Sequence, residues 1–173
     1  ALAELKGIAA TMPNETILIS TLTLQEAKDS SEIENIVTTQ DDLYKAEIDI
    51  EKQLITAATK EVLKYREALQ RGFELVRKDS LLTNSRIKDI QMHLEGNRAG
   101  FRSQAGTTLK NSKGEIVYIP PQSIDEIERS MANLEAFINH PAMCEVDPLI
   151  KMAIIHHQFE SIHPFYDGNG RTG

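Results

Sequence analysis

The sequence predicts a mainly helical fold that contains a single β-hairpin. Apolar residues recur at spacings of three and four over most of the 173 residues, which is the period of a buried helix face. Helix-capping residues stand in front of several of these stretches, and only one segment has the pattern of two short strands around a turn. The length suffices for one domain with its own core.

The first 80 residues are predicted to be mostly helical. The first covers residues 3–11 and ends before a breaker at residues 12–14, and the second covers residues 17–31. A long stripe of apolar residues follows, made of Leu43, Ile50, Leu54, Ala58, Val62, Tyr65, Leu69, Phe73 and Val76. One helix of that length exceeds the usual range, so we expect a break near residues 56–59.

Three further helices are predicted from capping signals in the second half of the chain. Asn84 or Ser85 caps the first, which Gly96 would end. Ser123 opens the second with a capping box. Asp147 caps the third, because Pro148 directly after it fits the first turn of a helix.

The hairpin is predicted over residues 107–119, with a four-residue turn at residues 111–114. A lone pair of strands is marginally stable, so it must pack on another element or be mobile. The pattern alone leaves open a simple surface hairpin. The predicted strands include Thr107, Thr108, Leu109, Val117, Tyr118 and Ile119.

Composition excludes several classes of protein. The chain has 26 Asp and Glu against 19 Lys and Arg, a net charge of -7, which argues against a nucleic-acid-binding surface. Cys144 is the only cysteine, so no internal disulfide can form and a reducing compartment is favoured. No apolar run approaches the ~18 residues of a membrane span, and no signal peptide is recognisable. We therefore expect a cytoplasmic protein with no membrane partner.

The strongest functional signal is the segment HPFYDGNGRTG at residues 163–173. His163 titrates near neutrality and could accept a proton from a hydroxyl, whereas Asp167 is an oxygen donor suited to Mg²⁺. The next four residues combine adaptable backbone, N–H donors and one permanent charge, as phosphate binding requires. They are Gly168, Asn169, Gly170 and Arg171. Such a set suits attack on a phosphate ester.

Two other interpretations of this segment are weaker. The glycines fit the dinucleotide pattern G-x-G-x-x-G, but that pattern requires a preceding strand, and residues 147–161 are predicted to be helical. A zinc site would leave Pro164 and the glycines unexplained. Its ligands would come from His156, His157, Glu160 and His163.

The segment resembles the active-site loop of the Fic (Fic/Doc) family, H-x-F-x-[D/E]-G-N-G-R-x-x-R. All seven specified positions from His163 to Arg171 are met without a gap, and residues 159–162 look like the family's lead-in. The family's second arginine would follow Gly173, so we expect this chain to be a fragment of a longer protein. The resemblance implies a Fic-type helical bundle whose hairpin is a flap beside the active site.

The resemblance also implies a protein adenylyltransferase, which moves AMP from ATP to a Ser, Thr or Tyr hydroxyl of a target protein. His163 would be the base, Asp167 would hold Mg²⁺ and residues 168–171 would cradle the phosphates. The flap would hold the target by strand addition. Relatives transfer UMP, phosphocholine or phosphate, so another group remains open, as does a non-catalytic interaction module.

A second segment resembles the inhibitory motif [S/T]-x-x-x-E-[G/N] of some Fic proteins, through Ser30, Glu34 and Asn35. In the family, this glutamate pairs with the second arginine, which otherwise holds the γ-phosphate. Taken alone, without the family resemblance, the pattern of this segment indicates only the end of a helix. We therefore predict an inhibitory region at residues 1–80 and a Fic core at 81–173. The target is unidentified, with the chain itself as one candidate and a homodimer as a candidate assembly.

Overall fold

The computed structural model describes residues 2–9, 11, 15–47 and 55–173, and it is mainly helical as predicted. It divides into two compact units, Ala1–Arg66 and Glu67–Gly173. The division predicted after residue 80 stays a prediction. No helix within the described ranges combines the length and the apolarity needed to cross a membrane.

The first unit contains α1 (Leu2–Ala9), α2 (Glu15–Ile33), α3 (Gln40–Glu47) and the start of α4 (Ala57–Asp79). The predicted breaker at residues 12–14 and two members of the apolar stripe, Ile50 and Leu54, lie outside the described residues. Helix α1 stops earlier than expected, and α2 is two residues longer at each end than the predicted 17–31.

The predicted break near residues 56–59 is where α4 begins. The Thr56 hydroxyl oxygen accepts the Thr59 N–H at 3.1 Å, which caps the helix, and the buried Thr59 hydroxyl bonds that of Thr38 at 2.7 Å. The apolar stripe is only partly buried, because Leu69 and Phe73 on α4 are exposed.

The second unit contains α5 (Asn84–Glu95), α6 (Ile124–Asn139), a 3₁₀ turn (Pro141–Met143), α7 (Pro148–Ile162) and α8 (Asn169–Thr172). The caps predicted for α6 and α7 are present: Ser123 forms the capping box, and Asp147 accepts the Leu149 N–H at 2.9 Å. The core of this unit is formed by Ile87, Phe101, Ile127, Met131, Leu134, Phe159, Ile162 and Phe165.

The predicted cap of α5 is wrong by one residue. Thr83, rather than Asn84 or Ser85, accepts the Arg86 N–H, and the Asn84 N–H instead bonds Glu135 at 2.6 Å. Asn84 is therefore the first helical residue, and its N–H, which has no acceptor within the helix, is bound by another helix. Gly96 ends the helix as predicted, in a left-handed conformation with φ of 70°.

The hairpin forms an antiparallel pair, β1 (Leu109–Lys110) and β2 (Ile116–Tyr118), with an irregularity between its two residue pairs. It is shorter than predicted, since Thr107, Thr108 and Ile119 lie outside the strands. Gln122 closes the base instead: its amide nitrogen donates to the Thr107 carbonyl at 3.0 Å and to that of Pro120. Pro120 also lacks the N–H that a longer ladder would need.

Candidate active site

The predicted motif forms a loop between the end of α7 and the start of α8. Helix α7 ends because His163 has a left-handed backbone, with φ of 49°, and because Pro164 cannot continue a helix. The His163 N–H still bonds the Phe159 carbonyl at 2.9 Å. A left-handed conformation costs a residue other than glycine roughly 1–3 kcal/mol, and such strain concentrates at functional sites.

The loop is anchored in the core at Phe165. Its ring is fully buried, with centroids 5.4 Å from Phe101 and 6.2 Å from Phe159. The Asn169 side chain also holds Phe165 in place through two hydrogen bonds to its backbone. The side-chain oxygen accepts the Phe165 N–H and the side-chain nitrogen donates to the Phe165 carbonyl, both at 2.9 Å. Asn169 was predicted to bind nucleotide, but its side chain is committed to the loop, which leaves its backbone N–H for an anion.

The His163 ring is half-buried at the start of the loop. Its Nδ1 is buried and makes no close hydrogen bond to any residue in the described part of the chain. Burial lowers the pKa of His163 below its ordinary value, and the nearby Arg102 charge lowers it further, while a weaker interaction with the Glu160 carbonyl acts in the opposite direction. The ring is therefore neutral at pH 7, as a general base requires.

Arg102 is a residue of this site that the sequence analysis missed. Its side chain is only 1% exposed, and its Nε donates to the His163 carbonyl at 2.7 Å. Its Nη2 donates to the Pro121 carbonyl at 2.5 Å, and its backbone N–H donates to that of Pro164 at 2.8 Å. Nothing local marks this arginine, because its partners lie far along the chain.

Asp167 is exposed, four residues after His163. One carboxylate oxygen accepts the Gly168 N–H at 2.8 Å, and the Asp167 carbonyl accepts a longer bond from Gln91 at 3.4 Å. A single exposed carboxylate fits Mg²⁺, which is commonly held by one or two carboxylates together with substrate phosphates and water. The residues present are therefore compatible with the predicted ion.

The zinc alternative finds no support in the geometry. Among the described residues, no group of three or more His, Cys, Asp or Glu side chains could hold a metal ion. The four ligands considered above are all within that part of the chain. Structural zinc sites need four such ligands and catalytic ones three.

Arg171 and Gly168 both pack against Glu95, the last residue of α5. Arg171 Nη2 donates to Glu95 Oε1 at 2.8 Å, and the two side chains are only 5% and 14% exposed. Gly168 is left-handed, with φ of 72°, and a Cβ there would lie 2.4 Å from the same oxygen. Arg171, predicted to bind phosphate, is thus held by a carboxylate. The sequence signal was an acidic residue in the last turn of a helix, where the helix dipole disfavours it unless it is paired.

The predicted inhibitory residues lie at the end of α2, in the first unit. Asn35 is left-handed, with φ of 64°; its N–H bonds the Glu32 carbonyl, and the Ile36 N–H bonds that of Ser31, both at 3.0 Å. This is a Schellman helix end, in which Asn35 takes the place that glycine often occupies. Glu34 is half-buried at the last position before it. The geometry explains the asparagine and leaves the role of Glu34 as a prediction.

Two family models match the chain. One, described as Fic/DOC family N-terminal, matches residues 1–74, and the other, described as Fic/DOC family, matches residues 81–173, which is more than half of the chain. The curated protein adenylyltransferase fic-1 of Caenorhabditis briggsae is 27% identical over 86 residues, which are 50% of this chain and 16% of that protein.

Solved structures share the fold. A Fic domain containing signaling protein from Bacteroides thetaiotaomicron has a TM-score of 0.71 at 21% identity, over 88% of this chain and 59% of that one. A Fic family protein from Desulfovibrio desulfuricans has a TM-score of 0.69 at 24% identity, over 98% and 51%. Fic-1 from C. elegans has a TM-score of 0.68 at 19% identity, over 95% and 47%. The chain thus spans about half the length of these structures, and the predicted helical bundle with one hairpin is confirmed.

Proposed function

The chain belongs to the Fic/DOC family, and we propose that it is a protein adenylyltransferase, which transfers AMP from ATP to a Ser, Thr or Tyr hydroxyl of a target protein. The observation that carries the proposal is the arrangement of the loop. A neutral, half-buried histidine begins it, an exposed carboxylate follows four residues later, and the first turn of α8 comes next.

The proposed reaction uses His163 as the base. Its Nε2 accepts the hydroxyl proton, since Nδ1 is buried. The hydroxyl oxygen forms a bond to the α-phosphorus of ATP, and the bond from that phosphorus to the oxygen bridging the β-phosphorus breaks. AMP becomes attached to the target, and pyrophosphate leaves with the bonding electron pair. A Mg²⁺ ion held by Asp167 would neutralise charge on the phosphates.

The start of α8 would hold the phosphates. The first N–H groups of a helix have no acceptor within it, and here they belong to residues 169–171. Gly168 and Gly170 would let the backbone approach the anion closely. Arg171 supplies a permanent charge, and its contact with Glu95 keeps the guanidinium in one orientation.

The hairpin would dock the target. Val117, Tyr118 and Ile119 are 61%, 43% and 60% exposed, an unusual display of apolar side chains on a short surface hairpin. Within the described residues the sheet has only two strands, so its outer edges offer backbone groups for strand addition. The proposed contacts to the target include Thr107, Thr108 and Leu109.

Glu34 would restrain this activity. Its proposed partner is the arginine that the family motif places directly after Gly173, which would otherwise bind the γ-phosphate. We further propose a cytoplasmic location, self-modification as well as modification of a target, and a homodimer.

The deciding experiment incubates a protein extended past Gly173 with α-labelled ATP, UTP or GTP. We expect label from ATP in protein, lost in His163→Ala and retained in His157→Ala, the matched control with an exposed histidine on α7. Label from UTP or GTP alone would identify another nucleotide. Absence of label from all three would favour transfer of phosphocholine or phosphate, or a non-catalytic module.

Binding measurements separate the base from a binding role. His163→Ala should leave ATP affinity nearly intact, because a base acts only when the hydroxyl attacks. A loss of affinity equal to the loss of rate would show that His163 is a binding residue instead.

A further inference from the structure

We propose that Arg102 is a positioning residue that couples the hairpin to the proposed base, by holding the His163 backbone and the end of the hairpin with one buried guanidinium. The inference rests on the proposed function only for the consequence in the transfer reaction. The coupling itself is a property of the fold and can be measured without substrate.

The hydrogen bonds of the guanidinium span two separate segments. On the loop side, Nε donates to the His163 carbonyl at 2.7 Å, and Nη2 reaches that of Ile162 at 3.4 Å. On the hairpin side, Nη2 donates to the Pro121 carbonyl at 2.5 Å. Pro121 comes two residues after Ile119, where the predicted flap ends. One planar group therefore fixes the distance between the flap and the strained residue that carries the base.

Burial of the Arg102 guanidinium is unfavourable for the stability of the fold. The side chain is 1% exposed, Nη1 is buried without a hydrogen-bond partner, and no carboxylate among the described residues pairs with the charge. A buried cation is normally paired, because its desolvation is unfavourable. An apolar side chain would pack here without that penalty, but it could not bind the three backbone carbonyls that the guanidinium holds.

The neighbouring residue strengthens the same contact. The Ser103 N–H donates to the Tyr166 hydroxyl at 2.9 Å, and the Arg102 N–H donates to the Pro164 carbonyl at 2.8 Å. Residues 102 and 103 thus bind the loop at both ends of its first turn. A movement of the hairpin would be transmitted to His163 through Arg102, and docking of a target on the flap would fix the base.

The test compares Arg102→Met, which removes the fork, with Arg102→Lys, which retains charge and a donor but not the fork. Arg129→Met is the matched control, because Arg129 is exposed on α6. Amide hydrogen exchange is followed in residues 109–118 and 163–166 of each variant. We expect Arg102→Met to accelerate exchange in both segments, Arg102→Lys to do so less and Arg129→Met not at all. Faster exchange in the loop with an unchanged hairpin would overturn the coupling.

The kinetic readout separates positioning from general stability. In an active enzyme, Arg102→Met should lower kcat by about 100-fold, the effect of a small misplacement of a reacting group, with ATP affinity little changed and with partial recovery in Arg102→Lys. A lower Tm with normal kcat per folded molecule would show that Arg102 only stabilises the fold. If the wild type transfers no nucleotide, the proposed function fails, and hydrogen exchange still decides the coupling.

Discussion

Gly168→Ala is the sharpest test of how the loop packs against α5. Gly168 is left-handed, with φ of 72°, a conformation that costs an L-residue with a Cβ about 1–2 kcal/mol. The new Cβ would also lie 2.4 Å from Glu95 Oε1 and 3.1 Å from its Cγ and Cδ. Real Cβ atoms do not approach so closely, so Glu95 must move.

The position of Glu95 sets the size of the effect. Its Oε1 accepts a bond from Arg171 at 2.8 Å in an ion pair that is almost entirely buried. Loss of one partner of a buried pair costs about 3–5 kcal/mol. The free energy of unfolding should therefore fall by about 4–7 kcal/mol if the pair breaks, and by about 1–2 kcal/mol if Glu95 moves with its partner. Because both groups are enclosed and cannot shift freely, we expect the loss to exceed the roughly 1–2 kcal/mol of the backbone conformation alone.

Urea denaturation of the wild type and two variants measures this loss. Gly100→Ala is the matched control, because Gly100 has φ of 70° and nothing within 4 Å of its would-be Cβ. The free energy of unfolding of Gly100→Ala should fall only by the cost of the left-handed backbone conformation, about 1–2 kcal/mol. Equal losses in the two variants would refute the contact with Glu95. In a Glu95→Ala background, Gly168→Ala should lose most of its extra effect, which is the signature of two coupled sites.

Three further outcomes are expected of the active protein. Asp167→Asn should lower the apparent affinity for Mg²⁺ by at least about 10-fold, measured by titration of transfer activity with the metal, and activity that survives EDTA would contradict the assignment. Glu34→Gly, in a protein extended past Gly173, should raise labelling at limiting ATP, because it removes the charge that competes with the γ-phosphate. Equal labelling of the wild type and the variant would show that residues 30–35 form only a helix end. The transfer rate should decline as pH falls, with a midpoint below 6.5, since the reaction needs a neutral His163 whose pKa lies below its ordinary 6.5. A decline centred above 6.5 would show that another group titrates.

The features predicted correctly from the sequence are those decided locally. The capping box at Ser123, the cap at Asp147 and the helix end at Gly96 each involve residues within a few positions of one another. Such short-range rules operate before any tertiary contact forms, which is why a pattern can reveal them.

The features that were missed depend on contacts across the fold. Glu95 pairs with a residue 76 positions away, and Arg102 with one 61 positions away, so the local pattern does not identify either partner. The cap of α5 is Thr83, and the N–H of Asn84, which was predicted as a cap, is bound by Glu135 on another helix. Asn169 is predicted to bind nucleotide, but no local pattern shows that its side chain bonds the Phe165 backbone, because amide groups satisfy a tight turn as well as they bind phosphate.

The bonds between Asn169 and Phe165 also bear on the chemical ageing of the protein. Asn169 precedes Gly170, and asparagine before glycine is the pair most prone to deamidation, because the unhindered glycine nitrogen can attack the side-chain carbonyl and close a succinimide ring. Here both polar atoms of the side chain are held by Phe165, and Gly170 lies within α8, which keeps nucleophile and carbonyl out of line. Conversion to aspartate would replace the donor to the Phe165 carbonyl with a buried charge, which is costly. The folded loop thus protects its own covalent structure, and a sample held unfolded would lose that protection at the residue that shapes the loop.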